Sequence, residues 1–170
     1  MVKLIAKTPC AGLLPLEIGT VMITEVVIET AVSIAPFKGQ EKTVSATMPV
    51  AFPKPNRVSG TYPRAIWIGP GQALLIGGKV NDLPAAVVDQ TDSVAIVAIK
   101  GAQVADVLAR LVPVDLRAMK SGHTARTLIG HMTGSVTKTG RDAFEVMVMR
   151  SMAGTLVHDL ERAARIYFAR

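Results

Sequence analysis

The stretch SGHTARTLIGH, residues 121 to 131, gathers His123, Arg126, Thr127 and His131, and two of the chain's three histidines flank the arginine. The chemistry such a set offers first is joint ligation of a metal ion by the two imidazoles. Spacing argues against it. On a strand, residues eight apart share a face but stand about 26 Å apart at roughly 3.3 Å per residue. On a helix they stand about 12 Å apart along the axis, still too far for one ion. A shared site would need a sharp bend between them. The third histidine, His158, stands beside Asp159 and near Arg162 in the C-terminal segment and reads as a surface or interface residue.

Other routes to catalysis find less support. The chain has no G-x-S-x-G elbow, and its single cysteine, Cys10, has no evident partner. The glycine-rich run WIGPGQALLIGG (67 to 78) lies between two apparent strands, with no Lys-Ser/Thr after it. Phosphate binding needs the amides of a helix N-terminus, so the run reads as a hairpin turn. Arg126 is harder to dismiss. A guanidinium within an apolar strand either pairs with a buried carboxylate, for which Asp89, Asp92 and Asp115 are available, or reaches a neighbouring chain. No catalytic, cofactor-binding or metal-ligating residue is therefore assigned. Arg126, His123, His131 and Trp67 are the candidates for a structural or interface role.

Composition bounds these readings. A chain of 170 residues with 49% hydrophobic and 19% charged residues can build an ordinary core, although 4% aromatics leave that core to Val, Ile, Leu, Ala and Met. The net charge of +6 is scattered, without the basic runs or interleaved aromatics of a nucleic-acid groove. No nucleic acid is expected; a basic surface docking on an acidic partner subunit suits the charge. The lone cysteine fits a reducing cytoplasm. Lys7 and Pro9 interrupt any secretory apolar run in MVKLIAKTPC, so a cytoplasmic location is expected. No membrane span is expected either, because the most apolar window, 65 to 78, is short and broken by Gly69, Pro70 and Gly71.

The elements that must position the candidates follow from periodicity. Residues 21 to 34 alternate, with Val26, Ile28, Thr30, Val32 and Ile34 on one face, and read as one strand. A weak helix is expected over 36 to 48 with Pro36 in its first turn, then a loop over 52 to 63. Hairpins are expected from AIWIG and QALLIG, and from AAVVDQ and SVAIVAI with Thr91-Asp92 at the turn. Val104, Val107, Leu108 and Leu111 predict an amphipathic helix that Pro113 ends. Residues 124 to 137 read as one long strand bent at Gly130 or Gly134, followed by a turn over 139 to 142 and a strand over 143 to 149. Ser151 is the expected N-cap of a closing helix whose Met152, Leu156, Leu160 and Ala163 or Ala164 share a face. This order predicts an α+β fold of antiparallel sheets with helices on one side. It fits one domain over 1–170, or two small lobes of about 1–78 and 79–170.

The ordered series AIWIGPGQALLIG (65 to 77), AAVVDQTDSVAIVAIKG (85 to 101), AQVADVLARLVPVDL (102 to 116), GHTARTLIGHM (122 to 132) and DAFEVMVMRSMAGTLVHDLERAA (142 to 164) resembles the gamma subunit of heterotetrameric sarcosine oxidase, with PNRVSG (55 to 60) a weaker echo upstream. The resemblance implies a fold similar to the aminomethyltransferase-type folate-binding domains. It implies a non-catalytic accessory subunit in sarcosine catabolism, packed with alpha, beta and delta partners. This chain would carry no cofactor; FAD, FMN, NAD, tetrahydrofolate and zinc would belong to the partner subunits. Ala73, where the family pattern has an aromatic residue, and the short connection KVNDLP (79 to 84) leave open the corresponding subunit of an N-methylglutamate dehydrogenase-type complex. The shared fold leaves a second alternative, a free-standing folate-binding protein.

Overall fold

The computed structural model describes residues 5–169, so the first four residues of MVKLIAKTPC and Arg170 lie outside it. Its strands form two antiparallel sheets, labelled in chain order. The larger sheet runs β1 (Leu16–Ile18), β2 (Val21–Val26), β8 (Val94–Lys100), β11 (Ala143–Met149), β10 (Met132–Gly140) and β9 (Thr124–Ile129). The smaller sheet runs β4 (Val58–Gly60), β5 (Arg64–Gly69), β6 (Gln72–Ile76), β3 (Ala31–Pro36) and β7 (Ala85–Asp89). Among the described residues, three α-helices complete the fold: α1 (Glu41–Thr47), α2 (Val104–Leu108) and α3 (Ala153–Phe168).

Strand alternation distributes the apolar residues over three cores. Val97 and Ile99 of β8 and Phe144, Val146 and Val148 of β11 pack against Leu156, Leu160 and Ala164 of α3 and Val107 and Leu108 of α2. Ile34 and Leu75, on one face of the smaller sheet, pack with Val44 and Met48 at α1. The opposite face of that sheet presents Ala31, Ile66, Leu74 and Ile76 to Ile96, Val26 and Met147 of the larger sheet. The molecule is therefore layered helix, sheet, sheet, helix, and each sheet carries helices on one face, as the α+β reading predicts. Fully burying each of these aliphatic side chains contributes about 1.5–3 kcal/mol, and the central layer exists only if both sheets meet.

Several boundaries differ from those read in the sequence. Residues 21 to 34 are not one strand, because β2 and β3 belong to different sheets and the chain crosses between them at 27–30. Ile28 packs between the sheets with Val26, whereas Val32 and Ile34 pack on the opposite side of the smaller sheet, so these residues do not share one face. Pro36 closes β3 opposite Ala85 instead of opening a helix, and α1 starts at Glu41. β7 and β8 are not a hairpin: β7 pairs with β3, whereas β8 pairs with β2 and β11. Thr91 anchors that second crossing, accepting from the Ala31 amide at 3.1 Å and donating to Asp89 at 2.7 Å.

The expected long strand over 124 to 137 is two strands. β9 and β10 pair through Ile129 and Met132 across a Gly130-His131 turn, where Gly130 has φ 58. A two-residue hairpin loop needs this left-handed conformation, so the glycine reverses the chain rather than bending it. α2 ends at Leu108, well before Pro113, so Leu111 lies in the turn beyond the helix and is only partly buried. Ser151 does not cap α3; it lies in a 3-10 turn over Arg150–Met152, and Met152 occupies the N-cap position without a side-chain bond. Met152 is exposed, unlike Leu156, Leu160, Ala163 and Ala164. The smaller sheet draws on residues 31–89 and the larger on 16–26 and 94–149, so a division at residue 78 coincides with neither.

Candidate functional site

The histidines stand at opposite ends of β9. His131 occupies the tip of the β9–β10 hairpin, while His123 precedes β9 and bridges Arg57. The reversal at Gly130 therefore does not bring them together. Backbone bonds hold His123: its N–H donates to the Lys120 carbonyl at 2.9 Å and its carbonyl accepts from the Lys138 amide at 2.9 Å. Desolvation first, then the cations of Arg57, Lys120 and Lys138, lower the imidazole pKa below its usual 6.5. Among the described residues, no three His, Cys, Asp or Glu side chains come together in a metal-holding group.

Arg126 has a main-chain partner rather than a carboxylate. Its Nη1 donates to the Ile68 carbonyl at 2.9 Å, tying β9 of the larger sheet to β5 of the smaller. The three aspartates offered by the sequence are engaged elsewhere. Asp89 accepts from the amide and hydroxyl of Thr91. Asp92 lies 3.2 Å from Arg150. Asp115 accepts from the Arg117 and Ala118 amides, both at 3.1 Å.

The buried ion pair between the sheets is one the sequence reading missed. Arg64 Nη2 of β5 lies 2.6 Å from Glu145 Oε2 of β11, with side chains 12% and 14% exposed. That oxygen receives no well-aligned hydrogen bond, so the contact is Coulombic more than directional. Glu145 is the visible signal, a carboxylate on the strand face shared with Met147. Beside it in register come Thr137 and Thr124, whose buried hydroxyls lie 2.9 Å apart. The next row across the larger sheet is Ile96, Met147, Ser135 and Arg126. The face meeting the smaller sheet is thus apolar at β8 and polar toward β9.

Two openings flank these rows. A cleft of about 450 Å³ is lined by Arg64, Glu145, Thr137, Ser121, Tyr62 and Ile76, among others. A smaller pocket of about 150 Å³ is lined by Ile68, Arg126, Ser135, Met147, Val148 and Met149, among others. Leu128 and Met149 are exposed large apolar side chains at the β9 end, as are Val87 and Val88 on edge strand β7.

Trp67 lies on the opposite face of β5 from Ile66 and is half-buried, and its backbone N–H donates to the Arg57 carbonyl at 3.1 Å. Its cross-strand partner is the fully buried Ala73. Cys10 is buried in the larger core, and burial first, then the charge and hydrogen bond of Glu25, push its thiol up to about 11. It is a thiol rather than a thiolate near neutral pH. No described helix is long and apolar enough to cross a membrane.

No protein-family model and no curated protein matches the sequence. Among solved structures, a chain of heterotetrameric sarcosine oxidase from Corynebacterium sp. U-96, in complex with pyrrole 2-carboxylate, is similar at a TM-score of 0.80 and 20% identity, with 94% of each chain covered. The regulatory subunit of aspartate kinase from Thermus thermophilus aligns at a TM-score of only 0.40 and 11% identity, over 86% of this chain and 97% of that one. The two-sheet fold of this chain is thus the fold of a chain of the Corynebacterium oxidase, along nearly the whole length of both.

Proposed function

We propose that this chain is a gamma-type accessory subunit of a heterotetrameric, flavin-dependent sarcosine oxidase that oxidatively demethylates sarcosine. The observation carrying this reading is the fold likeness over 94% of both chains, which leaves neither sheet unmatched. The ordered segments from residue 55 to about 165 point the same way, independently of the coordinates. In this reading the alpha, beta and delta partners bind the nicotinamide, folate, flavins and zinc, and oxidation occurs on them. The contribution of this chain is a stiff, basic body for packing. Its two sheets are locked by Arg64–Glu145 and Arg126–Ile68, and Leu128, Met149, Val87 and Val88 are exposed for contact.

Co-expression of the four subunits, with and without this chain, tests the role. A flavin-loaded complex oxidising sarcosine should accumulate only when this chain is present. Equal yield and equal activity without it would overturn the proposal. Supplying N-methylglutamate to the same complex distinguishes the substrate, because the accessory role does not depend on which N-methyl amino acid the partners oxidise.

A further inference from the structure

The geometry points to the smaller inter-sheet pocket as a binding site for a small monocarboxylate with an apolar body, about the size of benzoate. Ser135 carries the first part of the argument. It is 3% exposed, and its Oγ is buried without a hydrogen-bond partner among the described residues. Its register opposite Arg126 and Met147 directs it to the face that meets the smaller sheet, where it lines the pocket. A buried hydroxyl left unpaired is costly, so a ligand that accepts from it or donates to it gains what the free protein lacks.

Arg126 carries the second part. The guanidinium has five N–H donors, and the bond to the Ile68 carbonyl uses one while fixing the planar fork beside the pocket. Arg126 makes no ion pair among the described residues, so the other donors remain for a carboxylate, which they match in a two-pronged geometry. Ile68, Met147, Val148 and Met149 supply apolar walls. The volume of about 150 Å³ is that of a cavity known to admit benzene, which favours one ring or a branched alkyl group and excludes a nucleotide or folate. The lining residues all belong to this chain, so the site does not rest on the proposed function.

Benzoate is the probe, titrated into the full-length chain and followed by amide chemical shifts and by thermal unfolding. Saturable shifts should centre on Ile68, Arg126 and Ser135, and benzamide, which keeps the ring without the charge, should bind roughly tenfold or more weakly. Arg126→Gln should weaken benzoate by a similar factor. Ser135→Ala should leave the free protein as stable or more so, yet shrink the rise in melting temperature that benzoate produces. If Arg126→Gln does not fold, the Ser135→Ala comparison decides alone. Non-saturable shifts, shifts centred elsewhere, equal binding of benzamide, or an undiminished benzoate effect in Ser135→Ala would each overturn the assignment.

Discussion

Arg64 and Glu145 join the two sheets through an ion pair 2.6 Å long, and both side chains are largely withdrawn from water. Neither ion has another charged partner among the described residues. Removing one strands the other: Arg64→Met or Glu145→Leu should each destabilise the chain by about 3–5 kcal/mol, whereas the double replacement should recover most of that loss. Urea unfolding of the three variants measures the recovery. Additive losses would show that the two side chains act separately.

Arg126 bonds a carbonyl of the opposite sheet rather than an acid. Arg126→Ala should therefore cost about 1–2 kcal/mol in the isolated chain, since the bond is charge-assisted but the residue is exposed. In the proposed complex the variant should lower the yield of assembled enzyme and leave turnover per assembled complex unchanged. A slower chemical step at full assembly would contradict a structural role.

Cys10 makes stability depend on alkaline pH. Its thiol titrates near 11 in the folded chain against an ordinary 9.0, so the folded state holds the proton more tightly than the unfolded state. The resulting stabilisation is complete below pH 9 and is lost as pH rises toward about 11, by roughly 3 kcal/mol in total. Urea midpoints of the native chain should fall across that window more steeply than those of Cys10→Ala. Parallel slopes would show that the thiol is not linked to folding.

His123 should titrate below 6.5 by NMR, because desolvation and the neighbouring Arg57, Lys120 and Lys138 disfavour its charged form. The unfolded chain therefore takes up the proton first as pH falls, so this group costs stability only on the acid side of 6.5. Lys138→Gln should move the midpoint up. A midpoint above 6.5 in the native chain would indicate an unrecognised acidic neighbour.

Most strand positions were legible because alternation marks a covered face, and Phe144, Val146 and Val148 face the helices as their spacing predicts. Sheet membership was not legible. Where a strand is covered on both faces, as Ile96 and Val97 are, alternation no longer marks an inside, and the crossings at 27–30 and 90–93 use residues that would also suit a strand or a hairpin turn. Gly130 carried the decisive turn signal, but a glycine in a Thr- and Leu-rich run reads equally as a bend. Of the candidate residues, Arg126 was visible as an anomaly, while its partner Ile68 was not, since a main-chain carbonyl leaves no trace in residue type. The Arg64–Glu145 pairing lay beyond reach for a related reason: it requires knowing which strands of the two sheets face each other.

Affinity capture of the tagged, full-length chain from its native organism decides whether it associates with a flavin-bearing oxidase. The chain should elute at one-to-one stoichiometry with larger subunits, with flavin absorbance in the same peak and sarcosine-dependent reduction of that flavin. A monomeric chain eluting without any flavoprotein, from cells in which sarcosine oxidation is active, would contradict it.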